Sequence, residues 1–177
     1  GPGGGGGGVE RRLGMEAIFQ ANNIIVLPFW ALMIFAPSSR VTRQVMSSYL
    51  VLIPVILIYV YLLVSSLTLP GALDIFKAPI TLAALSKAAQ EPTAMAAIWA
   101  HIIVGDLFLG RWVLLDALRN RVFAAHSLIL TLFMAPVGLA SHLVTRAVMG
   151  RNPPRDAVSE GIADGMSDEN LMGLMDD

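Results

Sequence analysis

Few side chains in this sequence can do chemistry, and most of them sit inside apolar runs. The run Trp99-Ala100-His101-Ile102-Ile103-Val104-Gly105-Asp106-Leu107-Phe108-Leu109-Gly110-Arg111-Trp112 holds an imidazole, a carboxylate and a guanidinium. On a helix turning about 100° per residue, Asp106 and Arg111 are about 140° apart. They cannot pair along their own helix. Each needs a partner on another helix, a lipid headgroup or a bound ligand. His101 points in a third direction, so the helix carrying all three must have several neighbours. A further stretch offers His126, Ser127, Thr131, His142 and Thr145. Ser127, Thr131, Ala135, Gly138, His142 and Thr145 fall on one stripe of a continuous helix, the pattern by which membrane helices approach closely and bond across. Read as one helix, His126 and His142 are about 24 Å apart and cannot share a ligand. Gln20, Asn22 and Asn23 lie one turn inside another apolar run, ahead of Pro28. These groups either lock helix to helix or receive the polar end of a ligand.

The missing patterns exclude much. There is no cysteine, so disulfides, thiolate metal sites, iron–sulfur clusters and a cysteine nucleophile are ruled out. No apolar run holds a histidine pair four residues apart, so a helical metal pair is absent. Neither a glycine-rich phosphate loop nor a Gly-x-Ser-x-Gly elbow occurs. A net charge of −1 gives no pull towards nucleic acid.

The elements that must position these groups are membrane helices. Hydrophobic residues make up 55% and charged residues 14% of the 177 residues, where soluble domains carry about 25% charged. The mean hydropathy is +0.67. Crossing about 30 Å of hydrocarbon takes about 20 apolar residues. Four stretches meet that length: Ala17 to Ala36, Val45 to Leu69, Thr93 to Leu118 and Val122 to Met149. The expected fold is all-α, an integral membrane antiparallel four-helix bundle. Pro37-Ser38-Ser39-Arg40 and the Arg119-Asn120-Arg121 turn are short links between antiparallel neighbours. The longer link from Pro70 to Pro92 carries Ile75, Phe76, Ile80, Leu82 and Leu85 with Lys77 and Lys87. It reads as a short interfacial helix between spans two and three, or as a soluble loop. Pro28, Pro54 and Pro136 are expected to bend their helices.

Four crossings put both chain ends on one side. Arg11, Arg12, Lys77, Lys87, Arg146, Arg151 and Arg155 would then lie there, against Arg40, Arg43, Arg119 and Arg121 opposite. The positive-inside rule turns the first set towards cytoplasm or stroma. Residues 1–14 form a Gly-rich extension, 15–149 the membrane domain and 150–177 an acidic tail. In the tail, Ser167 followed by Asp168 and Glu169 reads as a helix start. Leu171, Met172, Leu174 and Met175 then make an apolar face too short to fold alone, expected to dock on a neighbouring subunit.

The polar residues within the apolar runs carry a family likeness. Ile18-Phe19-Gln20-Ala21-Asn22 and Val26-Leu27-Pro28-Phe29-Trp30-Ala31-Leu32-Met33 form the first part, and Trp99-Ala100-His101 through Arg111-Trp112 the second. His126-Ser127-Leu128-Ile129-Leu130 and Ala135-Pro136-Val137-Gly138-Leu139-Ala140-Ser141-His142-Leu143 complete it. Together they resemble the neoxanthin-synthase-like family of small plastid and cyanobacterial membrane proteins, named for the abscisic-acid-deficient plant phenotype. The likeness runs over residues 15–149.

The resemblance implies a plastid protein of the thylakoid or inner envelope concerned with xanthophylls; the charge bias above then turns its termini to the stroma. Two functions follow from it. One is an accessory subunit of a photosystem–antenna supercomplex in the thylakoid membrane. It would contact membrane lipid, photosystem or antenna subunits, and bound carotenoid and chlorophyll. Its candidate pigment-binding residues are Asn22, Asn23, His101, His126 and His142, serving where needed as ligands to chlorophyll magnesium, with no other metal. The Glu-x-x-Asn/His-x-Arg signature of light-harvesting proteins is absent. The other is an intramolecular isomerase converting violaxanthin to neoxanthin. That reaction opens an epoxide while a proton leaves the neighbouring carbon, giving an allene. It needs an acid and a base and no redox cofactor. His101 and Asp106 would be acid and base, with Arg111 orienting.

Overall fold

The computed structural model describes residues 6–73, 77, 79 and 81–149. Among these the chain is helical, and three helical stretches are long and apolar enough to cross a membrane: Arg12–Phe35, Tyr49–Leu67 and Pro92–Asn120.

The first stretch is two helices, α1 (Gly6–Ile25) and α2 (Leu27–Phe35), broken at Val26. Pro28 causes the break, because it has no N–H to donate and its ring crowds the preceding turn. The ladder resumes with Trp30 N–H donating to Val26 O at 3.1 Å. The carbonyls at the end of α2 are not left bare. The Thr42 hydroxyl donates to Ala36 O at 2.7 Å and lies 3.3 Å from Leu32 O. Thr42 belongs to α3 (Arg40–Ser47), whose start is capped by Ser39 Oγ accepting from Thr42 N–H at 3.0 Å. Thr42 and Met46 are buried while Arg40, Val41, Arg43 and Gln44 are exposed. This is the polarity of a helix lying at an interface.

A 3₁₀ turn, Tyr49–Leu52, leads into α4 (Ile53–Leu67), with Pro54 in its first turn where the missing N–H costs nothing. The second crossing thus begins at Tyr49 rather than Val45 because α3 takes the preceding residues. In the following link, α5 (Leu82–Ala89) forms behind a Thr81 cap that accepts from Ala84 N–H at 3.2 Å. Leu82 is 82% exposed and no residue of α5 is buried, as an interfacial helix requires. Ile75, Phe76 and Ile80 lie outside the described residues.

The longest helix, α6 (Pro92–Asn120), holds the assembly together. Near its start Ala96, Ala97 and Ala100 pack with Leu62 of α4 and with Met15, Ile18 and Phe19 of α1. Farther along, Leu107, Val113 and Leu114 pack with Trp30, Met33, Met46, Val55 and Leu128. Gly110 admits the Trp30 ring, since a Cβ there would sit 2.5 Å from Trp30 Cη2. The end of the bundle with the start of α6 is here called end A, and the opposite end, end B.

The fourth apolar stretch does not cross. It is two helices, α7 (Ala125–Phe133) and α8 (Ala135–Met149), folded back on each other. Ser127 Oγ is 3.1 Å from Ser141 Oγ, and His126 Nε2 is 2.9 Å from Thr145 Oγ1. On a straight helix these pairs would be about 21 and 28 Å apart. Met134 leaves the helical conformation with φ −149° and ψ 81°, next to Pro136, which cannot donate to the preceding turn. The chain end of α7 is still satisfied: Met134 N–H donates to Leu130 O at 2.7 Å, and Met134 O accepts from Val137 and Gly138 N–H. That satisfaction is what irregular backbone at membrane depth demands. Neither arm reaches about 30 Å, at about 14 and 22 Å long.

The expectation of a fourth crossing is therefore corrected to a re-entrant hairpin that enters and leaves at end B. The small-residue stripe misled it. Ser127 and Thr131 do meet Gly138 and Ser141 closely, but within the hairpin, where a Cβ on Gly138 would collide with the Thr131 backbone. Two further expectations fall with the fourth crossing. The first and last described helices have their outer ends at opposite ends of the bundle. Arg146 joins Arg40, Arg43, Arg119 and Arg121 at end B, which removes the basis for placing both termini on the stromal side. Leu171, Met172, Leu174 and Met175 lie outside the described residues.

Candidate functional site

The three groups expected to act together, His101, Asp106 and Arg111, point in different directions. His101 is exposed and packs its ring on Tyr59 of α4, centroids 5.5 Å apart. Asp106, near the middle of α6, is half-buried and has no hydrogen-bond or ionic partner among the described residues. Arg111 is 6% exposed; its Nη2 donates to Ser47 O at 3.0 Å and its guanidinium lies 4.1 Å over the Tyr49 ring. That contact caps the carbonyl end of α3 with a cation, the favourable sign at a helix C-terminus. Arg111 is a lock between α6 and the interfacial helix. The helix rotation that separates it from Asp106 by about 140° is preserved, so the three do not converge.

The asparagines divide similarly. Asn23 Oδ1 accepts from Trp99 Nε1 at 2.7 Å, tying α1 to α6. Asn22 is 1% exposed, and neither amide atom has a partner. A groove of about 620 Å³ opens at end A beside Arg12, Glu16, Phe19, Leu69 and Glu91, but none of the expected site residues lines it.

Polar chemistry does gather in the hairpin at end B. One turn of α8 presents two adjacent stripes. Ser141 and Thr145 turn to α7, where they meet Ser127 and His126. His142 and Arg146 turn to α6, where both meet Asp116. His142 Nε2 is 2.9 Å from Asp116 Oδ2, and Arg146 Nη1 donates to Asp116 Oδ1 at 3.1 Å. The His142 ring is fully buried, the Asp116 side chain 15% exposed and that of Arg146 45% exposed. A carboxylate only accepts, so Nε2 carries the proton towards Asp116, and in the neutral ring Nδ1 is then the nitrogen with the lone pair. That Nδ1 is buried without a partner. The Trp112 ring meets the imidazole edge-on, centroids 5.8 Å apart. On the other stripe, exposed His126 also bonds Ser127 Oγ at 3.1 Å and stacks on Phe123. The inference that His126 and His142 are far apart fails, since Thr145, bonded to His126, lies within one turn of His142.

The arrangement is an imidazole oriented by a carboxylate that also accepts from a guanidinium, beside a second, solvent- or lipid-facing imidazole. Asp116 is the member of this cluster that sequence reasoning misses. Its signal was His142 and Arg146 four residues apart on one face, but a partner for them is found only once the hairpin returns α8 to the end of α6.

No solved structure matches the chain. A relative from Arabidopsis thaliana, "Protein ABA DEFICIENT 4, chloroplastic", is 36% identical over 137 residues, which cover 76% of this chain and 62% of the relative. The chain thus spans less than two thirds of that protein's length. The sequence profile of the ABA DEFICIENT 4-like family matches residues 17–142, from the first crossing through the hairpin to His142 itself. On that match, the chain belongs to the ABA DEFICIENT 4-like family.

Proposed function

We propose that this chain is a plastid membrane protein of neoxanthin formation, an isomerase acting on an epoxy-xanthophyll. The observation that carries the reading is the family membership, and the hairpin cluster supplies groups suited to the chemistry. One proton is delivered to the epoxide oxygen as its C–O bond breaks. One proton leaves the adjacent carbon, and the electron pair of that C–H bond forms the allene. Atoms and electrons balance within the substrate, so no oxidant or reductant enters. A xanthophyll spanning the bilayer places its oxygenated rings near the two interfaces, about 30 Å apart. The last turn of α6, with Asp116, His142 and Arg146, lies at such a depth.

In this reading His142 Nδ1 takes the carbon-bound proton. Asp116 and Arg146 act as positioning residues that fix its tautomer. His126 is the exposed group available to donate to oxygen. His142 Nδ1 is covered, so substrate access requires the Trp112 edge or the hairpin to move aside. Purified chain in liposomes with violaxanthin is expected to form neoxanthin without added reductant or oxygen. His142→Ala is expected to abolish the product and His101→Ala to retain it. Product from a folded His142→Ala protein would remove this site from the reaction. A wild-type chain that forms none would remove the isomerase reading itself.

A second reading, an accessory pigment-binding subunit associated with photosystem or antenna proteins, draws support from His101. That imidazole is exposed on a membrane-crossing helix and makes no hydrogen bond among the described residues, which suits an axial ligand to chlorophyll magnesium. Chlorophyll copurifying with wild type and lost from His101→Leu would favour this reading. Purified protein free of chlorophyll would exclude it.

A further inference from the structure

End B of the bundle is a ring of guanidinium groups. Arg40 and Arg43 come from α3, Arg119 and Arg121 from the close of α6, and Arg146 from the returning arm of the hairpin. All are exposed. Among the described residues the first four have no ionic partner, and only Asp116 offsets the charge at this end, through Arg146. End A differs. There, among the described residues, Arg12, Lys77 and Lys87 stand with Glu10, Glu16 and Glu91. Among the described residues the bundle is therefore polarised along its axis, five bases to one acid at one end and three to three at the other.

A second, independent feature marks end B as the depth of lipid headgroups. Phe35 at the close of α2, Tyr49 just after α3 and Phe123 in the link between α6 and α7, exposed by 84%, 67% and 63%, lie at the same end of the bundle as the arginines. Exposed aromatic rings at helix ends are the interfacial belt of membrane proteins. The interfacial helix α3 lies in the same layer, with Val41 exposed beside Arg40 and Arg43. Guanidiniums alternating with exposed rings at one depth meet headgroups on one side and acyl chains on the other. Arg forks match anionic oxygens of phosphate or sulfonate geometry.

We propose that end B is a binding surface for lipids with anionic headgroups, and that this surface faces the stromal or cytoplasmic leaflet. The proposal rests on the membrane placement and not on the isomerase reading. The five arginines are brought together by the hairpin: with a fourth crossing, Arg146 would lie at the other end. The rival occupant is the segment 151–177 of this chain, which follows α8 at the same end and carries seven acidic residues and two arginines.

The test uses the intact chain in nanodiscs of equal parts phosphatidylcholine and phosphatidylglycerol, with lipids retained on release into detergent counted by mass spectrometry. Phosphatidylglycerol is expected to exceed its bulk share and to fall back as salt rises. Each arginine near the surface contributes up to about fivefold. Combined Arg40→Gln, Arg43→Gln, Arg119→Gln and Arg121→Gln is expected to return retention to the bulk ratio, whereas the four corresponding Lys changes keep the enrichment. Bulk composition around the intact chain overturns the proposal, as does enrichment that survives the glutamine changes. Should the glutamine variant not fold, enrichment in the intact chain that ignores salt overturns it equally. Enrichment appearing only in a chain ending at Asn152 overturns it in favour of the acidic segment as occupant.

Discussion

The hairpin makes a prediction that a fourth crossing forbids. Ser127 and Ser141 present their hydroxyl oxygens 3.1 Å apart, so cysteines at both positions are placed to form a disulfide, which needs Cβ atoms about 3.5–4.5 Å apart. On a straight helix the same residues would be about 21 Å apart. The chain has no cysteine of its own, so the double variant reports a single pair. Oxidation of Ser127→Cys, Ser141→Cys in membranes is expected to give an intramolecular crosslink, read as a mobility shift reversed by reductant. Gly138→Leu supplies the counterpart perturbation. A Cβ at Gly138 meets the hydroxyl of Thr131 and also its backbone, which cannot swing aside. Overpacking of this kind costs about 1–3 kcal/mol. Spreading the arms also gives up the Ser127–Ser141 and His126–Thr145 bonds, about 0.6 kcal/mol each in a membrane protein. Together that is on the order of 2–4 kcal/mol, which lowers the closed population relative to open forms by a factor of about 30 to 1,000. Crosslinking is expected to slow by a comparable factor in the Gly138→Leu background. Absence of crosslink in the otherwise wild-type protein, or a crosslink whose rate ignores Gly138→Leu, would refute the close-packed hairpin.

Other consequences are testable with the same preparation. In sealed vesicles, Met149→Cys and Arg40→Cys are expected to react with an impermeant maleimide from one face and Lys87→Cys from the other; labelling of Met149→Cys together with Lys87→Cys would restore a fourth crossing. Asp116→Ala leaves the buried His142 Nε2–H without its acceptor, at a cost of about 1–3 kcal/mol. Asp116→Asn keeps an acceptor and is expected to cost less, as thermal unfolding in detergent will show; equal losses would mean that the carboxylate does not orient His142. Arg111→Ala removes a charge-assisted bond to Ser47 O and the Tyr49 contact, and is expected to lower stability by about 2–4 kcal/mol. An unchanged melting temperature would count against Arg111 as the lock between α6 and α3.

Much of this architecture is written in the sequence because membrane spanning rests on length and polarity alone. The first three crossings, the break at Pro28, the tight Arg119–Arg121 turn and a short helix in the link after Pro70 follow from the hydropathy pattern and turn residues, whereas Pro54 starts α4 instead of bending it. The fourth stretch escaped the same reading for a physical reason. A stripe of Ser, Thr and Gly is needed equally by a helix packed on another crossing and by a helix folded onto itself, so periodicity does not separate the two. The discriminating residues are Met134 to Pro136, and a proline in a membrane helix is compatible with either a kink or a reversal. The site was less legible than the fold. The family likeness suggested that His101, Asp106 and Arg111 act together, yet helix rotation turns them in three directions: His101 to Tyr59, Arg111 to Ser47 and Tyr49, and Asp106 to no partner among the described residues. Asp116 drew no notice, because its partners are 26 and 30 residues away and become neighbours only through the reversal.

The reversal also bears on where the chemistry of this family belongs within the chain. The family match begins at residue 17 and ends at residue 142, so it takes in α7, the Met134 break and the first half of α8, while α8 alone is too short to cross. The matched region thus contains an element whose contribution cannot be to span the bilayer. Its polar side chains bond inward, to each other and to Asp116, rather than to lipid. A hairpin held at one interface by such bonds, with Phe133 and Met134 exposed at its apolar tip, carries a base into the membrane while remaining hinged at a single break. A substrate whose reactive ring lies at that depth could be enclosed or released by movement of the hairpin alone, leaving the three crossings fixed. The Ser127–Ser141 crosslink tests this as well. If violaxanthin is the substrate and the hairpin must part from α6 to admit it, tying the two arms together leaves turnover intact, because the arms move as one body. If the arms must instead part from each other, oxidation stops turnover and reduction restores it.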